Sequence, residues 1–262
     1  MNRRLSGWSI LWIIIGALYF LLPLIATFDF SLRAERDRLG FLAYQRVFAD
    51  PRFLASFMFS FWIAMTTIVI SLLLVVPTAY WVRLRVPQAR RLLEFLSLLP
   101  LIVPAVVLVF GLSRIYGRSP FQFMVETPGL FIVGNIVFAL PYMYRSIDVG
   151  LRAIDVHTLT EAAQSLGASL FTTLVRVIFP NITVSLLSGA FLTFAIVMGE
   201  FTMASLLVQP AFGPYMQQIS SSKIYEPSAV AIISFMLTWA CIGFINFLGR
   251  RGNARVSVTG AR

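Results

Sequence analysis

An all-α membrane protein with six transmembrane helices is the fold class this sequence predicts, on three observations. Charged residues make up 12% of the 262 positions and hydrophobic ones 58%, whereas a soluble domain carries roughly 25% charged residues. Six apolar runs approach the ~20 residues needed to cross a lipid core about 30 Å thick. The basic residues fall in the gaps between those runs, more heavily on alternate gaps. That distribution also excludes a nucleic-acid reading of the net charge of +10, since a nucleic-acid binder gathers its cations on one soluble face.

The first run, about 9–28, follows Arg3 and Arg4. The uncharged stretch Leu5–Phe28 holds about 24 residues, longer than the apolar region of a cleaved signal, roughly 7–15 residues. No small-residue cleavage site follows, so it reads as a retained span. The others lie at about 55–82, 95–115, 129–146, 182–207 and 229–249. Pro23, Pro77, Pro100, Pro104 and Pro141 fall within runs, which membrane helices tolerate as kinks. Pro100 and Pro104 in "LLPLIVPAVVL" are expected to bend or break the third.

With the N-terminus inside, the inner segments hold Arg3, Arg4, Arg83, Arg85, Arg90, Arg91, Arg145, Arg152, Arg176, Arg250, Arg251, Arg255 and Arg262. Those are thirteen of the 21 basic residues. The outer loops hold the remaining eight, and Asp29, Glu35, Asp37 and Asp50 offset most of the five in the first of them. The positive-inside bias therefore places both termini in the cytoplasm. The longest outer loop, about 29–54, is too short for a soluble domain, so 1–262 reads as a single transmembrane domain.

Several chemistries lack their residues. A P-loop needs a Gly-Lys-Ser/Thr turn, and the chain's one lysine, Lys223, follows Ser222. The one histidine, His157, has no metal-ligand partner at helical spacing, and no metal site or catalytic residue is expected. The one cysteine, Cys241, lies in an apolar run and reads as a packed thiol. Glu200, in "IVMGEFTMASLLV", is the carboxylate well inside an apolar run. A secondary transporter usually carries more intramembrane charge for ion coupling. The chain reads as a non-enzymatic pore-forming subunit driven by something else.

The inner segment 151–181 differs from the rest. Thr158 and Glu161 fit a T-x-x-E capping box. Gly167 can take the left-handed conformation that ends a helix, and Ser169 is placed to cap a second one ending before Pro180. Leu159, Ala163, Leu166, Leu170, Leu174 and Val177 recur at three- and four-residue spacing as one apolar stripe. The segment is either a linker on the membrane surface or a helix made to dock in a partner's groove, with Ala162 and Ala163 kept small for close approach.

These residues resemble the cytoplasmic loop of the inner-membrane permeases of binding-protein-dependent ABC importers. Glu161, Ala162, Ala163, Gly167 and Pro180 match its E-A-A-x-x-x-G…P pattern, with Ala168 after the glycine and Val177 and Phe179 as conservative replacements. The resemblance covers essentially the whole chain. It implies the type I importer permease fold and a coupling helix seated in a cytoplasmic ATPase dimer, which would use ATP and Mg2+ while this chain binds no cofactor. It also implies a second permease subunit, a periplasmic solute-binding protein and a place in the bacterial inner membrane.

The spermidine/putrescine group is the most similar, and Glu200, if it lines the path, favours a cation. Polyamine or a related organic cation is therefore the expected solute. Iron, thiamine, phosphonate and oxyanions are alternatives within the family, and the second reading of Glu200 is a structural bond to a neighbouring helix or the partner permease. Gly199, Thr202 and Ser205 beside it suit close helix packing. A self-contained secondary transporter or channel, or a membrane-embedded enzyme, is the alternative of another class.

Overall fold

A computed structural model describes residues 7–35 and 38–257. The expectations resting on Arg3, Arg4, Arg36, Asp37 and Arg262, and on the side chains of Cys241, Arg250, Arg251 and Arg255, lie outside the described residues. Every regular element among those residues is a helix, and the β content is one isolated bridge between Glu35 and Arg38. In chain order the helices are α1 (Gly7–Ser31), α2 (Leu42–Ala49), α3 (Pro51–Arg85), α4 (Arg90–Ile102), α5 (Ala105–Tyr116), α6 (Phe123–Glu126) and α7 (Gly129–Arg152). They continue as α8 (Val156–Ser165), α9 (Leu170–Thr173), α10 (Phe179–Asn181), α11 (Thr183–Met198), α12 (Thr202–Leu206), α13 (Phe212–Ser222) and α14 (Glu226–Ser257).

Three helical stretches are long and apolar enough to cross a membrane unaided: Ile10–Ser31, Pro51–Arg85 and Gly129–Arg152. Two more candidates are bent pairs. Residues 87–102 and α5 meet at 105°, and Leu170–Asn181 and α11 meet at 81°. The first bend falls where the two prolines forecast a break, and the geometry separates their roles. Pro100 stays inside α4, whereas Val103 is extended before Pro104, the conformation that a proline ring favours in the residue before it. The shorter apolar stretch Glu226–Ala240 opens α14 at the sixth expected run.

The run at 182–207 is not one continuous helix. α11 ends at Met198 with Gly199 as its cap, and α12 restarts at Thr202. The second helix of the inner segment does not stop before Pro180 either. A widened π turn, Leu174–Ile178, carries the chain into α10, which includes Pro180. Leu170–Asn181 runs as one helix, so Pro180 stands in its last turn, and the widened turn lies just before the proline, whose missing N–H interrupts the regular bonding pattern.

The contacts divide into two compact units. The first comprises residues 1–54 and 215–239. In it the Ser31 hydroxyl lies 2.8 Å from the Tyr44 hydroxyl, and Phe30 packs on Tyr225 at 5.0 Å between ring centres. The second comprises residues 55–214 and 240–262. In its core, Val75, Val76 and Tyr80 of α3 pack with Met143, Ile147 and Leu151 of α7, Val156 of α8 and Leu174 to Leu186 of the following segment. α7 and α11 cross closely. A Cβ at Gly150 would lie 2.5 Å from the Ser185 hydroxyl oxygen, and one at Gly189 would lie 2.8 Å from Met143 Sδ. Without a hydrophobic force between lipid-bathed helices, such small residues permit the contact that holds them together.

Candidate functional site

α8 presents a helix with a firm shape at both ends. Asp155, not Thr158, is its N-cap. The Asp155 carboxylate accepts from the Thr158 amide at 3.2 Å and from the Thr158 hydroxyl at 2.7 Å. The T-x-x-E reading is thereby corrected: Thr158 is one turn inside the helix and serves as donor to the cap. The overlapping D-x-x-T spacing was present in the sequence, and ionised aspartate is a strong acceptor at a helix N-terminus. The Thr158 hydroxyl, followed by its backbone amide, holds the Asp155 carboxyl below the usual carboxylate range.

The C-terminus follows the glycine reading. Gly167 takes φ +81°. Its amide donates to the Gln164 carbonyl at 2.8 Å, and the Ala168 amide donates to the Ala163 carbonyl at 3.0 Å, which is the paired closure of a glycine-terminated helix. Ser169 caps α9 as expected, accepting from the Thr172 amide at 3.2 Å.

The predicted stripe splits. Val156, Thr160 and Ala163 of α8 and Leu174 and Ile178 beyond it are buried in the bundle. Leu166 leaves the stripe and stands 90% exposed, because the left-handed Gly167 turns the chain away immediately after it. Phe171 is exposed as well. Glu161, Ala162 and Gly167 face outward, whereas Ala163 faces the bundle. Among the matched alanines, only Ala162 is available to a partner.

Glu200 is engaged by backbone. Its two carboxylate oxygens accept from the Met203 amide at 3.1 Å and the Ala204 amide at 3.0 Å. It thus caps α12 across the break after α11. The Gly213 backbone packs against the Glu200 carbonyl, and a side chain there would strike it. α12 closes on Val208, whose φ of 52° is rare for a β-branched residue.

Sequence reasoning passed over a second carboxylate. Asp148 of α7 is 5% exposed. It accepts from Arg152 Nε at 2.8 Å and from Arg90 at the start of α4 at 3.3 Å. One turn away, Arg145 donates to Glu94 at 3.2 Å. The i, i+4 spacing of Asp148 and Arg152 was legible, but the link to Arg90 crosses 58 positions and was not. Glu94, Ser97, Tyr142 and Arg145 line a cavity of about 380 Å³ between α4, α7 and Leu192.

The first unit carries a charged cavity of about 390 Å³ lined by Arg46, Asp50, Arg52, Tyr215, Lys223 and Glu226, among others. Arg46 donates to Glu226 at 3.1 Å. The hydrogen bond from Arg52 pulls the Asp50 carboxyl down, while burial pushes the Tyr215 phenol up to about 12. Among the described residues no group of three or more histidines, cysteines or carboxylates is placed to hold a metal.

No protein-family profile matches the chain. Over 169 residues it is 31% identical to the putative molybdenum transport system permease YvgM of Bacillus subtilis, covering 60% of this chain and 72% of that one. Over 137 residues it is 31% identical to the probable sulfate transport system permease cysT of Prototheca wickerhamii, a match spanning 49% of this chain and about half, 52%, of that relative. The spermidine/putrescine permease PotB of Escherichia coli is 25% identical over 173 residues, covering 60% and 62% of the two chains. In three dimensions the chain superposes on a chain of a bacterial ABC transporter involved in import of the acidic polysaccharide alginate. That match has a TM-score of 0.68 and 16% identity, and covers 92% and 93% of the two chains. An amino acid ABC transporter matches with a TM-score of 0.55 and 18% identity, over 79% and 97%.

Proposed function

The chain belongs to the permease subunits of ABC importers, and from that premise we propose that α8 is the helix through which a separate ATPase drives it. The observation that carries this reading is the form of α8: capped by Asp155, closed at Gly167, anchored by one face and bare on the other. A linker lying on lipid needs neither firm end. Leu166 and Phe171, exposed beside the closing turn, are the apolar anchors that helix-in-groove docking uses. The partners are a cytoplasmic ATPase dimer, a second permease and a periplasmic solute-binding protein. Both termini then lie in the cytoplasm. Co-purification tests the docking surface. Leu166→Asp combined with Phe171→Asp is expected to lower recovery of the ATPase at least tenfold with the permease still in the membrane. Undiminished recovery contradicts the proposal.

For the solute we propose a small oxyanion, with polyamine as the second reading. The polyamine expectation rested on resemblance to the spermidine/putrescine group and on Glu200, whose oxygens are occupied by the cap of α12. The relatives at 31% identity are named for sulfate and molybdenum, and the polyamine relative stands at 25%. We propose that Glu200 is structural, and that the polar cavity at Ser97, Tyr142 and Arg145 borders the solute's path. Mass spectrometry of the ligand retained by the cognate binding protein decides the matter: an oxyanion supports the first reading and a polyamine overturns it.

A further inference from the structure

Thr160 lies on the face of α8 turned into the bundle and is 2% exposed. Its Oγ1 is 2.6 Å from the Val156 carbonyl oxygen and 2.9 Å from the Tyr80 phenol oxygen. A carbonyl can only accept, and a hydroxyl has one proton to give. The Thr160 proton therefore goes to Val156, and the Tyr80 hydroxyl donates to Thr160. This directed pair of bonds runs from the inner half of α3 into the first turn of α8, joining residues 80 positions apart.

α8 is tied to α7 by a three-residue connection, Ala153 to Asp155, and to α11 by the segment after Gly167, whereas no nearby chain segment joins it to α3. The core cluster to which both helices contribute is otherwise apolar, with Val75, Val76 and Ala79 from α3 and Val156 and Leu159 from α8. Apolar contact is non-directional and tolerates sliding. A hydrogen bond out of water has a fixed length and direction, and breaking it leaves a buried donor unpaired. Among the described residues the Tyr80–Thr160 bond is the polar link between these two helices.

We propose that Tyr80 is the positioning residue that makes α3 follow α8, so that displacement of α8 by the ATPase moves α3 instead of slipping past it. This rests on the coupling role of α8. Tyr80→Phe is a clean probe, because it keeps the ring and leaves Thr160 still bonded to Val156. Thr160→Val removes the acceptor, and Thr160→Ser restores it.

The test is hydrogen exchange of the full chain bound to its ATPase, with and without ATP and vanadate, read at α8 and at residues 76–85 of α3. In the wild type, nucleotide is expected to change exchange in both places. In Tyr80→Phe and in Thr160→Val the response of α8 should persist while that of α3 shrinks at least threefold. The double variant should look like either single one, and Thr160→Ser like the wild type. An undiminished α3 response in Tyr80→Phe overturns the inference, as does loss of both responses together or an additive double variant. A wild-type complex with no nucleotide response at α8 overturns the coupling reading itself, a different outcome from failure of the Tyr80 link.

Discussion

At Asp155 and Glu200 a carboxyl side chain does one job in two places: its oxygens accept from amides that a helix start leaves unpaired. Replacing Glu200 with Ala removes both acceptors from α12, at a cost of about 0.5–2 kcal/mol, measurable as a lowered melting temperature. Glu200→Gln keeps one carbonyl acceptor and is expected to lose less, with solute preference unchanged. A switch of preference in Glu200→Gln would return the residue to the solute path. The Asp155 cap has a defined pH window. Its folded pKa is depressed, so its contribution is complete above the ordinary aspartate value, about 3.9. It disappears as pH falls through the lower folded value. Thermal stability of the wild type and Asp155→Asn should therefore differ at neutral pH and converge in strong acid. Tyr215 has the opposite sign. Its pKa is raised to about 12, so its contribution holds below pH ~10 and is lost as pH climbs through the folded value. A Tyr215→Phe difference titration by phenolate absorbance checks this.

At the scale of elements, what the sequence disclosed depended on how local the cause was. Gly167 and Ser169 act on their immediate neighbours, and their roles were legible from residue type and position. The Pro104 break was legible for the same reason. Thr158 misled because two capping patterns, offset by three residues, share it, and the stronger acceptor at Asp155 decides the start of α8. The break at Gly199–Phe201 was hidden because Glu200, the one charged residue in that apolar run, was read for its charge and not as the cap of a new helix. α2 and α13 were missed in the outer loops because the search for spans registers only long apolar runs. Side-chain partners distant in sequence, such as Asp148 with Arg90 and Tyr80 with Thr160, left no local trace at all. The crossing of α7 and α11 makes its own prediction. In Gly150→Val the added methyls meet Ser185 and Ile182, and overpacking of this kind costs about 1–3 kcal/mol. A lower melting temperature of the detergent-solubilised chain is the expected result. Asp148→Ala, which strands the partly buried Arg90, should cost about 1–3 kcal/mol in the same assay.

For the whole molecule, the proposed function assigns the bundle end that holds α8 and the break that holds Glu200 to one transport cycle. In the proposed function energy enters at a capped helix with an exposed apolar tip, and the solute crosses beside the bend between α4 and α5 and the interruption after α11. Such a cycle is a rigid-body exchange between two packings, and it requires α8 to keep its shape while it is pushed. Gly167 is the residue at which this requirement can be removed without touching the transmembrane helices. Proline fixes φ near −65°, incompatible with the +81° found there, so Gly167→Pro should open the end of α8 and leave the spans intact. The most direct measurement is uptake into proteoliposomes holding the chain with its ATPase, loaded with the binding protein and its retained solute. Uptake by the wild type should require ATP and fall at least tenfold in Gly167→Pro at equal permease content. Uptake by the chain alone, indifferent to ATP and to that substitution, would contradict the account.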